Sequence, residues 1–72
     1  MNKYNKIDED LSVKIFQLYS QNKLINVIYF ENGLTNIITG MIGKIDYVEK
    51  QIIMIPLKKI LFLDIIEVNE IS

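Results

Sequence analysis

The stretch Thr35–Ile55, TNIITGMIGKIDYVEKQIIMI, constrains the fold of this chain more than any other. Most of it is β-branched or apolar, which suits a pleated strand. Gly40 and Gly43 interrupt the run. Ile38, Gly40 and Ile42 keep the period of two expected of a strand, but Ile42 to Ile45 is a step of three. One extra residue near Gly43–Lys44 would restore the alternation, which is how a β-bulge behaves. A long strand with two glycines and a phase change predicts a small, strongly curved sheet. A phosphate-cradling glycine loop would need a strand leading into a helix. These glycines lead instead into Asp46–Lys50, a polar turn, and Gln51–Ile55, a short apolar returning strand.

The segments before this hairpin are equally legible. Leu24–Phe30, LINVIYF, is β-branched and aromatic and too short for a helix. Residues 24, 26, 28 and 30 share one face and 25, 27 and 29 the other; only Asn26 breaks the apolar character. A strand apolar on both faces is buried on both, or buried on one and at an interface on the other. Asn32-Gly33 comes next, the strongest short hairpin signal, because a type I′ turn needs positive φ at both central residues. Upstream, Leu11, Ile15, Leu18 and Tyr19 fall at i, i+4, i+7 and i+8, one apolar helical stripe. Val13 and Phe16 lie off it and predict a broad core-facing side; the alternative is a second contact surface. Asp8, Glu9 and Asp10 read as the helix start, with Asp8 as cap, in preference to a divalent-cation site. Asn22 suits the left-handed residue at the helix end.

Downstream, Pro56 ends the third strand, Lys58-Lys59 marks the next turn or strand start, and Ile60–Leu63 is a fourth strand. Asp64-Ile65-Ile66 reads as one helical turn with Asp64 as cap, and Glu67–Ile71 as a fifth strand. The expected organisation is a flexible lead over 1–7 and one domain over 8–72, with a helix at about 9–22 and strands at about 24–31, 34–46, 50–55, 59–63 and 67–71. One helix and then five closely spaced strands predict a mainly β fold: a small, strongly bent five-stranded antiparallel barrel with the helix covering one end.

Composition narrows the function classes. A chain of 72 residues without cysteine or histidine has no disulfide, no thiolate site and no ordinary zinc ligand set, so neither metal nor cofactor is expected. Self-association is the remaining common support for so small a core, and a hydrophobic fraction of 50% agrees with shared apolar surface. The net charge of −1 gives no global pull toward nucleic acid or anionic lipid. Arginine, the usual bidentate reader of phosphate and guanine, is absent, as is alanine; abundant Ile, Asn and Lys fit a low-GC genome. The apolar runs stop well short of the ~20 residues of a membrane span, and the polar N-terminus is unlike a signal peptide. A cytoplasmic protein with no membrane partner is expected.

The pattern of helix, five bent strands and a short turn before the last strand looks like an Sm-like or SH3-like barrel. It resembles the YolD-like family in particular. The residues that carry the likeness are Tyr29-Phe30 before the Asn-Gly turn, Gly40-x-Ile42-x-x-Ile45-Asp46, Lys50-x-Ile52, and Ile60-x-Phe62-x-Asp64-Ile65-x-x-Val68. The resemblance spans Leu11 to Ile71. It implies a small accessory protein of low-GC bacteria or their phages, encoded beside translesion DNA polymerases and linked to DNA repair. Sm-like barrels form rings by pairing the fourth strand of one subunit with the fifth of the next, which would place Ile60, Phe62, Ile66 and Val68 at an oligomer or partner edge.

No reaction is legible. Asp46, Asp64, Glu67 and Glu31 are not paired at a catalytic spacing, and Ser12, Ser20 and Ser72 have no histidine partner. The expectation is a non-enzymatic interaction protein that binds a protein partner or itself. An alternative is a nucleic-acid-binding module using Lys44, Lys58 and Lys59, with Lys50 in support and Tyr47 or Tyr29 as stacking platforms; solvated lysines on a greasy protein take precedence over it. A phage-type inhibitor or small-ligand sponge is the remaining alternative. Asn32, Gly33, Gly40 and Gly43 are expected to serve structure, as turn, bend and bulge.

Overall fold

The structure is a computed structural model that describes the backbone of residues 3–71 and the side chains of residues 9–71. In chain order it comprises α1 (Lys3–Ser20), β1 (Ile25–Glu31), β2 (Leu34–Asp46), β3 (Gln51–Ile55), β4 (Lys58–Leu61), a 3-10 turn (Phe62–Asp64) and β5 (Ile65–Glu70). The strands form one antiparallel sheet in the order β4-β3-β2-β1-β5.

Helix α1 begins earlier than the acidic cluster predicts. Of the flexible lead expected over 1–7, residues 1 and 2 lie outside the described residues, and the chain is already helical from Lys3. Neither glycine nor proline occurs between Lys3 and Ser20, so a helix once nucleated propagates through Asp8–Asp10. Those residues are therefore interior to α1 and do not start it. Its C-terminus closes as the sequence predicts: Asn22 is left-handed, with φ 54°. The Asn22 N–H donates to the Tyr19 carbonyl (3.1 Å) and the Lys23 N–H to the Leu18 carbonyl (3.2 Å). This pair of bonds is the Schellman arrangement, and it satisfies carbonyls that the helix itself cannot.

The hairpin β1–β2 turns on Asn32 (φ 55°) and Gly33 (φ 76°), with Glu31 facing Leu34. This is the two-residue turn read from Asn-Gly. Strand β2 then serves two partners in succession. Residues 34–40 pair with β1, the last pair being Ile25 with Gly40; residues 41–46 pair with β3, beginning with Met41 opposite Ile55. The corner lies between Gly40 and Met41. A Cβ on Gly40 would collide with the Ile55 backbone carbonyl and lie 3.3 Å from the Pro56 ring, so only glycine lets the β3 end approach there. Three residues on, the register slips between Ile42 and Lys44, leaving Gly43 as the extra residue of a bulge, where the phase change in the sequence placed it.

The sheet is sharply bent but does not close into a barrel, since β4 and β5 share no ladder. The curl is nonetheless deep. Three strand spacings separate β4 from β1, about 14 Å in a flat sheet. Yet Lys58 Nζ donates to both Glu31 carboxylate oxygens at 2.9 and 3.0 Å. The ammonium also stands 5.5 Å from the centroid of the Tyr29 ring.

The concave face holds the core. Ile25, Val27 and Tyr29 of β1, Ile42, Ile52 and Met54 of the central strands, and Ile60, Ile65 and Val68 of the edge strands are buried. Ile15 and Leu18 of α1 cap this cluster, with Leu11 and Tyr19 packed beside them, so the predicted helical stripe faces the core. Val13 and Phe16 do not: they are 56% and 53% exposed, which corrects the broad core-facing side expected of α1. They lie on the flank away from the stripe, and one narrow stripe suffices to cover a sheet this small. The strand boundaries of β2 agree with expectation. The helical turn does not: it occupies Phe62–Asp64 without a side-chain cap, and Ile65 already opens β5. Strand β4 accordingly ends at Leu61, and Phe62 lies on the turn.

Candidate functional site

Two edges of the sheet are open, β4 at one end and β5 at the other. The Phe62 N–H donates to the Lys50 carbonyl at 2.8 Å, extending the β3–β4 register in which Gln51 faces Leu61 and Ile52 faces Ile60. Hydrogen-bonded pairs alternate along an antiparallel ladder. Lys58 and Ile60 therefore turn their backbone groups toward β3, and Lys59 and Leu61 turn theirs to the open edge. On the far side the Ile71 N–H donates to the Leu24 carbonyl at 3.0 Å. The same alternation directs Glu67 and Asn69 toward β1 and leaves the backbone of Val68 and Glu70 facing outward. The two edges differ in charge: β4 opens with Lys58-Lys59, and β5 carries Glu67 and Glu70; Lys58 is paired with Glu31 and Glu70 with Lys23 (3.3 Å), so Lys59 and Glu67 carry the contrast.

Of the four predicted edge residues, Ile60 and Val68 are 2% and 1% exposed and point into the core. They sit on the edge strands, but their side chains are not available to a partner, because the inward positions of a curled sheet are the ones alternation assigns them. Ile66 is 55% exposed, since the β1–β5 register slips there and leaves it unpaired. Phe62 is half-buried and meets the Tyr47 ring edge-on, 6.5 Å between centroids at 72°.

The predicted lysines do not form one patch. Lys44 and Lys59 both face Ile53, one on either side, so they share a row across the outer face of β2-β3-β4. Lys58 belongs to the inner side and is engaged by Glu31. That hydrogen bond holds its ammonium above the ordinary lysine range; partial desolvation opposes the effect, and the charges of Glu31 and Tyr29 reinforce it. Tyr29, the other stacking candidate, is buried beneath that ammonium, which withdraws both from a nucleic-acid surface.

The β2–β3 turn is set by Asp46, whose Oδ1 accepts the N–H groups of Val48 (3.1 Å) and Glu49 (3.0 Å). The Glu49 N–H is the main cause of a lowered Asp46 pKa; the Gln51 amide, the Val48 N–H and the Lys44 charge act in the same sense, against partial desolvation. Lys50 ends the turn in the left-handed region, with φ 57°. Between this turn, α1 and the 3-10 turn lies a cleft of about 440 Å³, lined by Leu11, Ser12 and Ile15 on one side and Tyr47, Lys50, Phe62 and Leu63 on the other. No pattern in the sequence announces it, because it joins segments that are distant along the chain.

The fold and its open edges define a small β-rich domain of one helix and a bent five-stranded antiparallel sheet. No protein-family model, curated protein or solved structure matches the chain. No helix among the described residues is long and apolar enough to cross a membrane.

Proposed function

We propose that this chain is a non-catalytic interaction module that acts by self-association and protein–protein contact through the β4 and β5 edges. The observation that supports it is the pair of open edges, basic on β4 and acidic on β5, at the two ends of one sheet. Unpaired N–H and C=O groups along an edge recruit another strand. Opposite charge favours β4 of one copy meeting β5 of the next over like edges meeting. Exposed apolar side chains near these edges, Leu61 at 41% and Ile66 at 55%, add surface that association would cover.

The strand order, the bend at Gly40 and the helix at one end support reading the open sheet as an Sm-like fold, in which repeated β4–β5 pairing would generate a ring. Within that reading the chain is a YolD-like accessory of translesion DNA repair, and its partner is a protein. The test is solution mass by light scattering across a wide concentration range. The wild-type chain is expected to run as an oligomer. Lys59→Pro and Glu70→Pro each remove an outward N–H from an edge, where proline is tolerated. Both are expected to give folded monomers by circular dichroism and scattering. A wild-type monomer at every concentration would sink the proposal.

A further inference from the structure

We infer that the cleft between α1, the β2–β3 turn and the 3-10 turn is a binding site for a small organic anion with an apolar body and a single carboxylate. It goes beyond the edge-pairing reading and does not depend on it. Three observations converge. The volume, about 440 Å³, lies within the about 300–1,000 Å³ of small-molecule clefts. Its walls are apolar and aromatic: buried Ile15 backs the cleft, and the edge-on pair Tyr47 and Phe62 stands on the opposite wall. Lys50 is the one charged residue among the described residues that line it, and it takes part in neither of the ion pairs found among those residues.

The backbone of Lys50 gives the assignment its edge. A left-handed residue at the end of a tight turn is normally glycine or asparagine, because the Cβ of an L-residue crowds the backbone carbonyl there; glycine has no Cβ, and the short asparagine side chain offsets the cost by bonding locally. Here the position holds a lysine at φ 57°, and its carbonyl is fastened by the Phe62 N–H at 2.8 Å. Turn geometry alone does not call for an ammonium at this point. Residues in sparsely populated backbone regions concentrate where a ligand is held. The charge count selects the ligand class. One lysine balances one negative charge, and the Ser12 hydroxyl is a neutral neighbour on the opposite wall. A phosphate dianion would call for the several donors or the arginine fork that this chain, with no arginine, does not supply.

The experiment uses the full chain and three probes of one shape: indole-3-acetate, its neutral amide and tryptamine. Amide chemical shifts are followed by NMR. Indole-3-acetate is expected to shift Ser12, Tyr47, Phe62 and Leu63 saturably, with the amide and the amine at least tenfold weaker. Lys50→Asn supplies a residue that accepts the left-handed conformation. It is expected to keep or raise the melting temperature while weakening indole-3-acetate at least tenfold. Equal binding of the acid and the amide, retention of binding in Lys50→Asn, or no saturable shift at millimolar probe would each overturn the assignment. So would a single-stranded oligonucleotide that binds these residues more tightly than the carboxylate.

Discussion

Gly40 is the residue on which the fold turns, and its neighbour in kind, Gly43, is not equivalent to it. At Gly40 the nearest obstacle to a side chain is the Ile55 backbone, with the Pro56 ring beside it; at Gly43 it is the Ile55 side chain, 2.8 and 2.9 Å from an added Cβ, with the Ile53 carbonyl oxygen farther off at 3.3 Å. Ile55 is 60% exposed and can rotate away, whereas the backbone at the corner has no such freedom. Gly40→Ala is therefore expected to destabilise by about 1–3 kcal/mol, the range of overpacking, and Gly43→Ala by less. The midpoint of urea unfolding measures both. A domain of this size commonly has a total stability of only about 3–5 kcal/mol, so the first variant approaches the threshold of folding. Equal losses at the two glycines would show that the corner can relax as readily as the bulge.

Among the elements, the β2–β3 hairpin owes its shape to one carboxylate. Asp46 is held below its ordinary pKa of 3.8 by the N–H groups of Glu49 and Val48 and by Gln51 and Lys44. A depressed pKa means that the unfolded chain binds the proton more readily than the folded one. The contribution of Asp46 is thus fully present above pH 3.8 and is lost as the pH falls through the lower folded value. Asp46→Asn keeps an oxygen acceptor but no charge. Wild type is expected to be the more stable at neutral pH, with the gap closing on acidification; thermal unfolding of both proteins between neutral pH and about pH 3, just below the ordinary aspartate value, tests it. A gap that widens on acidification would contradict the assignment. Helix α1 behaves differently: its apolar stripe was legible, but its first turn was not. Acidic residues favour a helix start without forbidding a helix interior, and nothing between Lys3 and Asp8 stops the helix.

At the scale of the whole molecule, the curl is braced by Lys58 and Glu31, residues 27 positions apart in the chain. The brace is partly solvated, so its strength is reduced by screening. The raised Lys58 pKa makes it fully present below pH 10.5 and lost as the pH rises through the higher folded value. Glu31→Gln is expected to lower stability at neutral pH, with the gap to wild type shrinking as salt is added and narrowing as the pH rises beyond the ordinary lysine value. A stability difference unaffected by salt would show that the carboxylate acts through packing alone. The same curl decides which residues can reach a partner. It turns Ile60 and Val68 inward, leaves Ile66, Val13 and Phe16 outside, and brings Lys50 opposite α1.

Local patterns determined the strands and their turns, because each rests on chemistry within a few residues. Asn32-Gly33 forms the turn that positive φ demands, Asn22 ends the helix for the same reason, and the step from Ile42 to Ile45 announces the bulge at Gly43. Alternation divided β1 into two faces, and the structure chose Ile25, Val27 and Tyr29 as the inward one. Gly40, Gly43 and the phase change announced a curved sheet, but how far it curls and what the curl brings together only the tertiary structure decided. The corner at Gly40 lets one strand serve two partners, and the fold sets the Asp46–Lys50 turn against the helix to make the cleft. Whether a side chain on an edge strand faces a partner or the core is set by that bend, and so is the meeting of Lys50 with Ser12 across a distance the sequence does not record.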